Sequence, residues 1–310
     1  MLSYNQLKDK PTILLSFTSL NQAEFEELAK KLAQVTQNQP DKSQKRQRAK
    51  GGGRQAILQT AEDRLLFILF YLKTYPLQEV VAFFFGMSQS QANEWIHRLA
   101  SLLKLALQEL NHLPERMGAR LQETLTEDET IAFIQDGCER RRQRPKDSVQ
   151  QKEYYSGKKK AHTVKNHLVV HPDSRRVCYL SPTVKGKTHD KKLADESELQ
   201  FPHLATLEQD TGFQGFEVDS VIVLQPQKKS RGSELSVSDK FINRCISSGR
   251  ILVENVIAGI KRCRIVKDVI RNWKTDFDDL VMVLACGLHN LRVAHRSPIQ
   301  TIDLVDFYFR

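Results

Sequence analysis

The sequence lacks any recognisable arrangement of cysteines and any long apolar run. Its five cysteines are odd in number, widely spaced and never in a C-x-x-C pair, so they indicate neither a zinc site nor a disulfide framework. The longest apolar run, Leu65 to Leu72, is far too short to cross a bilayer. The N-terminus has no charged segment followed by an apolar one. We therefore expect a cytoplasmic protein without a membrane span.

Positive charge is in excess along the chain. The 310 residues carry a formal net charge of +10, and the basic residues occur in clusters. With 40% apolar residues the chain is expected to fold, and its length suffices for two domains. Clustered positive charge favours a polyanionic partner, with nucleic acid as the first candidate. An excess of basic residues alone is weak support for nucleic-acid binding, because many other soluble proteins share it.

The N-terminal residues 1–56 are predicted to form a helix and a basic linker. Residues 21 to 36 have the pattern of an amphipathic helix that begins at Asn21. Residues 37–55 contain Pro40, the glycine triplet at 51–53 and a cluster of lysines and arginines. Such a segment is typical of a flexible arm, which either contacts DNA phosphates or is a solvated hinge.

Residues 57–120 have the pattern of a compact all-α helix-turn-helix domain. Thr60 begins a helix to about Tyr75, a second helix ends at Gly86, and Ser88 begins a third. A helix, a glycine-containing turn and a further helix is the plan that places its last helix in a DNA groove. An ordinary three-helix bundle with a polar outer face has the same pattern.

The third of these helices carries the predicted DNA-reading side chains. Trp95, Ile96 and Leu99 are expected to pack inward. The polar residues suited to base edges or phosphates are Gln89, Gln91, Asn93, His97 and Arg98.

From about residue 128 to 300 the pattern predicts an α/β domain. Short strand-like runs end at Asp136 and lead into Asp210, and between them a hairpin is predicted around the turn signal at residues 172–173. Three strands, a helix, another strand and then helices is the order of a ribonuclease H-like fold. One predicted helix begins near Thr188, and two further predicted helices span residues 239–265 and 274–294.

Three carboxylates in this domain are candidates for a metal site. Asp136 and Asp210 follow strand-like runs, and Glu254 shares one helix face with Arg250 and Lys261. Hard oxygen ligands suit Mg²⁺ or Mn²⁺, and two such ions would offset the mutual repulsion of the carboxylates. A lone aspartate after a strand is usually a turn residue or a helix cap, and the alternative role of the two cations is only to balance Glu254 along the helix.

The chain resembles the DDE transposases of the bacterial insertion-sequence "five" type, a group related to the Harbinger-like nucleases. The resemblance covers residues 57 to 296 and rests on IQDGCERRRQRPKD around Asp136, YYSGKKKAHTVK, GKTHDKKL, EQDTGFQGF around Asp210, and RILVENVIAGIKRCRI around Glu254. The spacing of Arg250, Glu254 and Lys261 matches the family signature. Ser247 stands where the family usually has tyrosine, which puts one substrate-positioning contact in question.

The resemblance implies a metal-dependent endonuclease and strand transferase. Asp136, Asp210 and Glu254 would hold two Mg²⁺ or Mn²⁺ ions, and Arg250 and Lys261 would act beside them on double-stranded DNA at element ends and target. A homo-oligomer is expected, since two DNA ends are joined in one complex, and the location would be at the nucleoid. A second basic region is expected to contact DNA through Lys158, Lys159, Lys160 and Lys165.

Two other functions fit the same sequence. One is a host-adopted or inactive endonuclease derived from a transposase. The other is a non-enzymatic helix-turn-helix regulator whose C-terminal domain only mediates assembly. The presence of all three carboxylates disfavours the regulator.

Overall fold

The computed structural model describes residues 1–38, 56–125, 132–219, 221–227 and 234–296, apart from the side chains of residues 242, 245, 247 and 248. Most of the predicted basic linker, and the side chain of Ser247, lie outside these residues. The chain divides into two compact units. The first comprises Met1–Leu113 with Arg262–Ile265, and the second comprises Pro114–Lys261 with Val266–Arg310.

The first unit is helical. Its helices are α1 (Pro11–Thr18), α2 (Gln22–Asn38), α3 (Ala61–Thr74), α4 (Gln78–Phe84) and α5 (Gln89–Glu109). Side chains cap three of them: Asn21 bonds the backbone of Glu24, Thr60 accepts from the amide of Asp63, and Ser88 forms a capping box on α5. The predicted helices therefore begin where their caps indicated, and the helical class of this region is confirmed.

The two predicted N-terminal domains belong to one unit. Helix α2 packs against α3 and α5, and Leu28 and Leu32 on it are fully buried. The burial of this apolar face joins residues 1–38 to the helix-turn-helix region. At the other end, the unit stops at Leu113, not at residue 120. The reason is that Leu121 packs in the core of the second unit and Glu115 pairs with Tyr179.

A mixed β-sheet forms the centre of the second unit. Its order is β2-β3-β1-β6-β7, and β4 and β5 also pair with β3. β1 is antiparallel to β3 and parallel to β6, which in turn is parallel to β7. The strands are β1 (Ala132–Arg141), β2 (Tyr155–Ser156), β3 (Ala161–Val170), β4 (Val177–Leu180), β5 (Val184–Lys185), β6 (Ala205–Gln209) and β7 (Val221–Leu224).

Helices cover both faces of this sheet. The helices of this unit are α6 (Leu121–Thr124), α7 (Ser148–Tyr154), α8 (Asp190–Asp195), α9 (Val237–Ile260) and α11 (Phe277–His295). The short helix α10 (Arg264–Lys267) begins in the first unit and ends in the second. On one face, Phe133 and Leu207 join Ala194 of α8 in an apolar core. On the other face, Glu208 lies against Gly249 of α9. The predicted α/β fold class, with an all-α region ahead of it, is confirmed.

The strands differ from the prediction in length and in number. β3 begins at Ala161, six residues before the predicted start of the hairpin at His167. β1 does not end at Asp136 but continues to Arg141, because its outer half pairs with β3 through register partners such as Gly137 and His167. β2, β5 and β7 were not predicted. β2 and β5 have only two residues each, and β7 has four residues that are mostly half-buried and show no alternating pattern. None of the helices in the described residues is long and apolar enough to cross a membrane.

Candidate active site

The candidate site lies where β1 extends past the end of β6. The parallel pairing of these strands stops at Gln135 and Gln209, so Asp136 is the first β1 residue beyond the paired segment. The chain leaves β6 at Asp210, whose side chain accepts a 2.6 Å hydrogen bond from the amide of Thr211. Asp136 in turn accepts a 2.7 Å bond from the amide of Gly137. Both aspartates therefore project at one edge of the sheet, on adjacent strands.

Helix α9 brings the third carboxylate and two cations to the same edge. Ser236 caps the helix, and Val253, Val256 and Ile260 bury its apolar face. Glu254 is exposed and lies on the flank of this apolar face, in line with Arg250 and Lys261. Arg250 lies 3.5 Å from Asp210, with 45% and 29% of the two side chains exposed.

A single pocket of about 370 Å³ collects the predicted catalytic residues. Its lining includes Asp136, Asp210, Glu254, Arg250 and Lys261, together with Lys158, Lys159 and Lys165. Lys160 is not among the described residues that line this pocket. The structure thus brings together the five predicted catalytic side chains and three of the four predicted basic ones.

Asp190 is a fourth carboxylate of this pocket that the sequence did not single out as functional. Its Oδ1 lies 2.9 Å from Nζ of Lys165, which also donates a 2.9 Å bond to the carbonyl of Thr188. A Cβ placed on Gly137 or Gly212 would approach the carboxylate of Asp190 at 2.8 and 3.2 Å. These two glycines, each close in sequence to a candidate aspartate, therefore leave room for Asp190. The only signal in the sequence was its place in the motif GKTHDKKL.

Burial makes Asp136 an unusual carboxyl group. Its pKa is raised to about 6, chiefly by desolvation and in smaller part by the neighbouring carboxylates of Asp210 and Asp190. The amide of Gly137 and the guanidinium of Arg250 oppose that rise. A cation placed among these oxygens would lower the pKa and favour the ionised form.

The donor chemistry fits a hard divalent cation, since the lining of the pocket contains five carboxylates beside the thiol of Cys138: Asp136, Glu139, Asp190, Asp210 and Glu254. Within the described ranges, however, no three acidic, histidine or cysteine side chains converge closely enough to enclose an ion. Ion binding would therefore have to draw Asp136, Asp210 and Glu254 together.

The predicted DNA-reading residues lie on α5 of the first unit. Gln78 of α4 accepts hydrogen bonds from Gln89 and from Asn93, at 2.5 and 3.2 Å. Gln91 is exposed and belongs to the capping box of Ser88. His97 is half-buried and Arg98 is exposed. The polar start of α5 is thus tied to α4, as a fixed recognition surface requires.

One prediction for α5 was wrong. Ile96 and Leu99 are buried as expected, but Trp95 is only half-buried. The guanidinium groups of Arg64 and Arg98 lie over its ring, 5.9 and 5.3 Å from the centroid. The ring of Trp95 is thus packed against two cations at the surface, as a cation–π contact allows, and not in the apolar core.

Comparison with known proteins assigns both parts of the chain. Residues 135–290 match the model of the DDE superfamily endonucleases, and residues 58–109 match the helix-turn-helix of DDE superfamily endonuclease. The chain is 28% identical over 263 residues to the probable transposase for insertion sequence element IS702 of Microchaete diplosiphon. The matched region covers 83% of this chain and 88% of that protein. No solved structure matches. Because the endonuclease model spans half of the sequence, this chain belongs to the DDE superfamily endonucleases.

Proposed function

We propose that this protein is the transposase of an insertion sequence, of the "five" type, that cleaves DNA strands at its element ends and joins them to target DNA. The observation that carries the proposal is the pocket in which Asp136, Asp210 and Glu254 face Arg250 and Lys261. The similarity to the protein named probable transposase for IS702 over most of both chains supports it.

The family implies dependence on a divalent metal, and we assign two ions of Mg²⁺ or Mn²⁺. Asp136, Asp210 and Glu254 would supply their oxygen ligands, in keeping with the preference of these ions for carboxylates. When bound, such ions activate an attacking oxygen and stabilise the leaving one in an in-line displacement. Asp136 must be ionised to act as a ligand, and its pKa is about 6. Metal affinity should therefore increase as the pH rises through about 6.

The cationic side chains would hold the DNA backbone at the pocket. Arg250, Lys158 and Lys159 are exposed there, and Lys261 is half-buried beside them. Their charge attracts phosphate whatever the sequence of the DNA. Lys165 is paired with Asp190 and would act through that carboxylate instead of contacting phosphate directly.

The helix-turn-helix unit would select the element ends. Helix α5 offers amide groups suited to adenine edges and Arg98 suited to phosphate or guanine, the chemistry by which side chains read the major groove. The residues assigned to this contact are Gln89, Gln91, Asn93, His97 and Arg98. Because two element ends must be joined, we also propose a homo-oligomer, acting at the nucleoid in the cytoplasm.

DNA cleavage by variants of the three carboxylates tests this function. Asp136→Asn, Asp210→Asn and Glu254→Gln should each abolish nicking of a fragment that carries the element ends, with DNA binding retained. Asp173→Asn and Glu217→Gln, at exposed positions outside the pocket lining, should cleave like the wild type. Wild-type cleavage should require Mg²⁺ or Mn²⁺ and stop with chelator. Binding without cleavage in every condition would point to the inactive copy or the regulator instead.

A further inference from the structure

A buried hydrogen-bonded chain runs through the sheet directly behind the pocket. The amide Nε2 of Gln135 donates to Oε1 of Gln209 at 2.5 Å, and these two residues form the last register pair of β1 and β6. Each immediately precedes a candidate catalytic aspartate. Because side chains alternate along a strand, both amides point to the face opposite the aspartates.

The series of hydrogen bonds extends from this pair in both directions. Nε2 of Gln209 donates to the carbonyl of Phe213, in the turn that follows Asp210. On the other side, Oε1 of Gln135 lies 2.8 Å from Nε2 of His167 on β3. The hydrogen bonds thus link the turn after β6 to β1 and to β3.

The far end of this series of hydrogen bonds reaches α8, which carries Asp190. Nδ1 of His167 lies 3.2 Å from Oγ of Ser197, and that hydroxyl lies 2.7 Å from the carbonyl of Leu193. The hydroxyl can donate to one of these acceptors at a time. The burial of His167 lowers its pKa to about 3, so the ring is neutral and has one donor and one acceptor nitrogen.

This polar chain is costly to bury unless it is held in one arrangement. Gln135, Gln209 and His167 are at most 2% exposed, and Phe213 packs against the imidazole at 5.6 Å between ring centroids. A buried amide that loses its partner keeps its full desolvation cost, so sliding β1 past β6 is opposed. The same bonds span the elements that carry Asp136, Asp210 and Asp190.

We propose that Gln135, Gln209 and His167 are positioning residues that set the spacing of the pocket carboxylates and thereby its affinity for divalent metal. The inference rests on the proposed function. Side chains one step removed from a metal site commonly change affinity by about 10- to 100-fold when they are altered. Here they would act through the backbone of β1, β6 and α8 without touching an ion.

The test measures Mn²⁺ binding by the full-length protein without DNA, beside DNA binding and thermal unfolding. Gln209→Met and His167→Phe remove polar groups at near-constant volume, and Gln200→Met makes the same kind of change at an exposed position of the same unit. We expect the dissociation constant for Mn²⁺ to rise about 10-fold or more in the first two variants and to stay unchanged in Gln200→Met.

A combined substitution separates positioning from folding. In Gln135→Met/Gln209→Met/His167→Phe the three side chains that bond one another are replaced together, so none of them is left buried without its partner and much of the thermal stability is recovered. We expect Mn²⁺ affinity to remain about 10-fold weaker in this protein although it is folded and binds DNA. Recovery of metal affinity in step with stability would overturn the inference.

The outcomes also distinguish this inference from the proposed function. Mn²⁺ binding and cleavage by the wild type, with equal metal affinity in the folded variants, would overturn the positioning role alone. A wild-type protein that binds no Mn²⁺ would overturn both.

Discussion

At the residue scale, the environment of Asp136 couples its proton to folding. The pKa of this carboxyl in the folded protein, about 6, lies above its ordinary value of 3.8. The folded state therefore holds the proton more tightly, and the contribution of Asp136 to stability falls as pH rises from about 4 to about 6. Above this window the ionised group is buried near two other carboxylates at a net cost.

The first prediction follows from that sign. In metal-free protein at pH 7.5, Asp136→Asn should raise the free energy of unfolding by about 1–2 kcal/mol, because the amide carries no charge to desolvate. At pH 4 the gain should nearly vanish. Urea denaturation with chelator at both pH values measures it, with Asp173→Asn as the exposed control. A gain that is the same at both pH values would show that charge is not its source.

The pair formed by Lys165 and Asp190 gives a second prediction. Only 10% and 22% of the two side chains are exposed, so removing one partner leaves a poorly solvated charge. Lys165→Met alone should destabilise the protein by about 2–3 kcal/mol, and Asp190→Asn alone by less, since Lys165 keeps its bond to Thr188. The double variant should be more stable than the sum of both changes predicts. Strictly additive unfolding free energies would exclude coupling between the two residues.

At the element scale, the approach of α9 to the sheet depends on one glycine. A Cβ on Gly249 would lie 1.6 Å from Oε2 of Glu208, a buried oxygen for which the described residues offer no hydrogen-bond partner. Burial raises the pKa of Glu208 to about 7. Helix α9 can therefore lie close to β6 only where it lacks a side chain, and this contact fixes how near Glu254 comes to the aspartates.

The third prediction concerns that contact. Gly249→Ala should destabilise the protein by about 1–3 kcal/mol through overpacking. It should also lower the cleavage rate of the folded protein, because it moves Glu254 away from Asp136. Adding Glu208→Ala should make room and restore both properties in part. Thermal unfolding and cleavage rates of the single and double variants measure this rescue. The same loss in both variants would mean that the helix does not depend on this contact.

The sequence predicted most elements from local chemistry but not how they meet. Helix caps such as Thr60 and Ser88 act over three residues, so they could be read directly from the chain. The length of β1 could not, because its outer half is held by pairing with a strand more than twenty residues away. Asp190 was missed for the same reason, since its closeness to Gly137 and Gly212 exists only after folding.

At the scale of the whole molecule, two chemically different surfaces would bind DNA. The start of α5 offers amides and one arginine, whereas the pocket region offers the lysines of the segment 158–160. Amides distinguish bases but release few counterions. Lysines release counterions and do not distinguish bases.

The fourth prediction separates these surfaces by salt dependence. Replacing Lys158, Lys159 and Lys160 by alanine should reduce the slope of log affinity against log salt by about 2–3, since each phosphate contact contributes about 0.9. Gln91→Ala with Asn93→Ala should leave the slope unchanged and reduce the preference for element ends over random DNA. Fluorescence anisotropy at several salt concentrations measures both. Equal slopes for all proteins would exclude the lysines from DNA contact.

The alternation of side chains along β1 has a consequence for how this gene can evolve. Gln135 serves the buried face and Asp136 the pocket face, so a one-residue insertion or deletion within the inner half of the strand would exchange them. A carboxylate would then enter the apolar core and an amide would replace a candidate ligand. Point substitutions can be tested there one at a time by selection, but changes of length cannot accumulate gradually, and related copies should differ in length at the connections between strands instead.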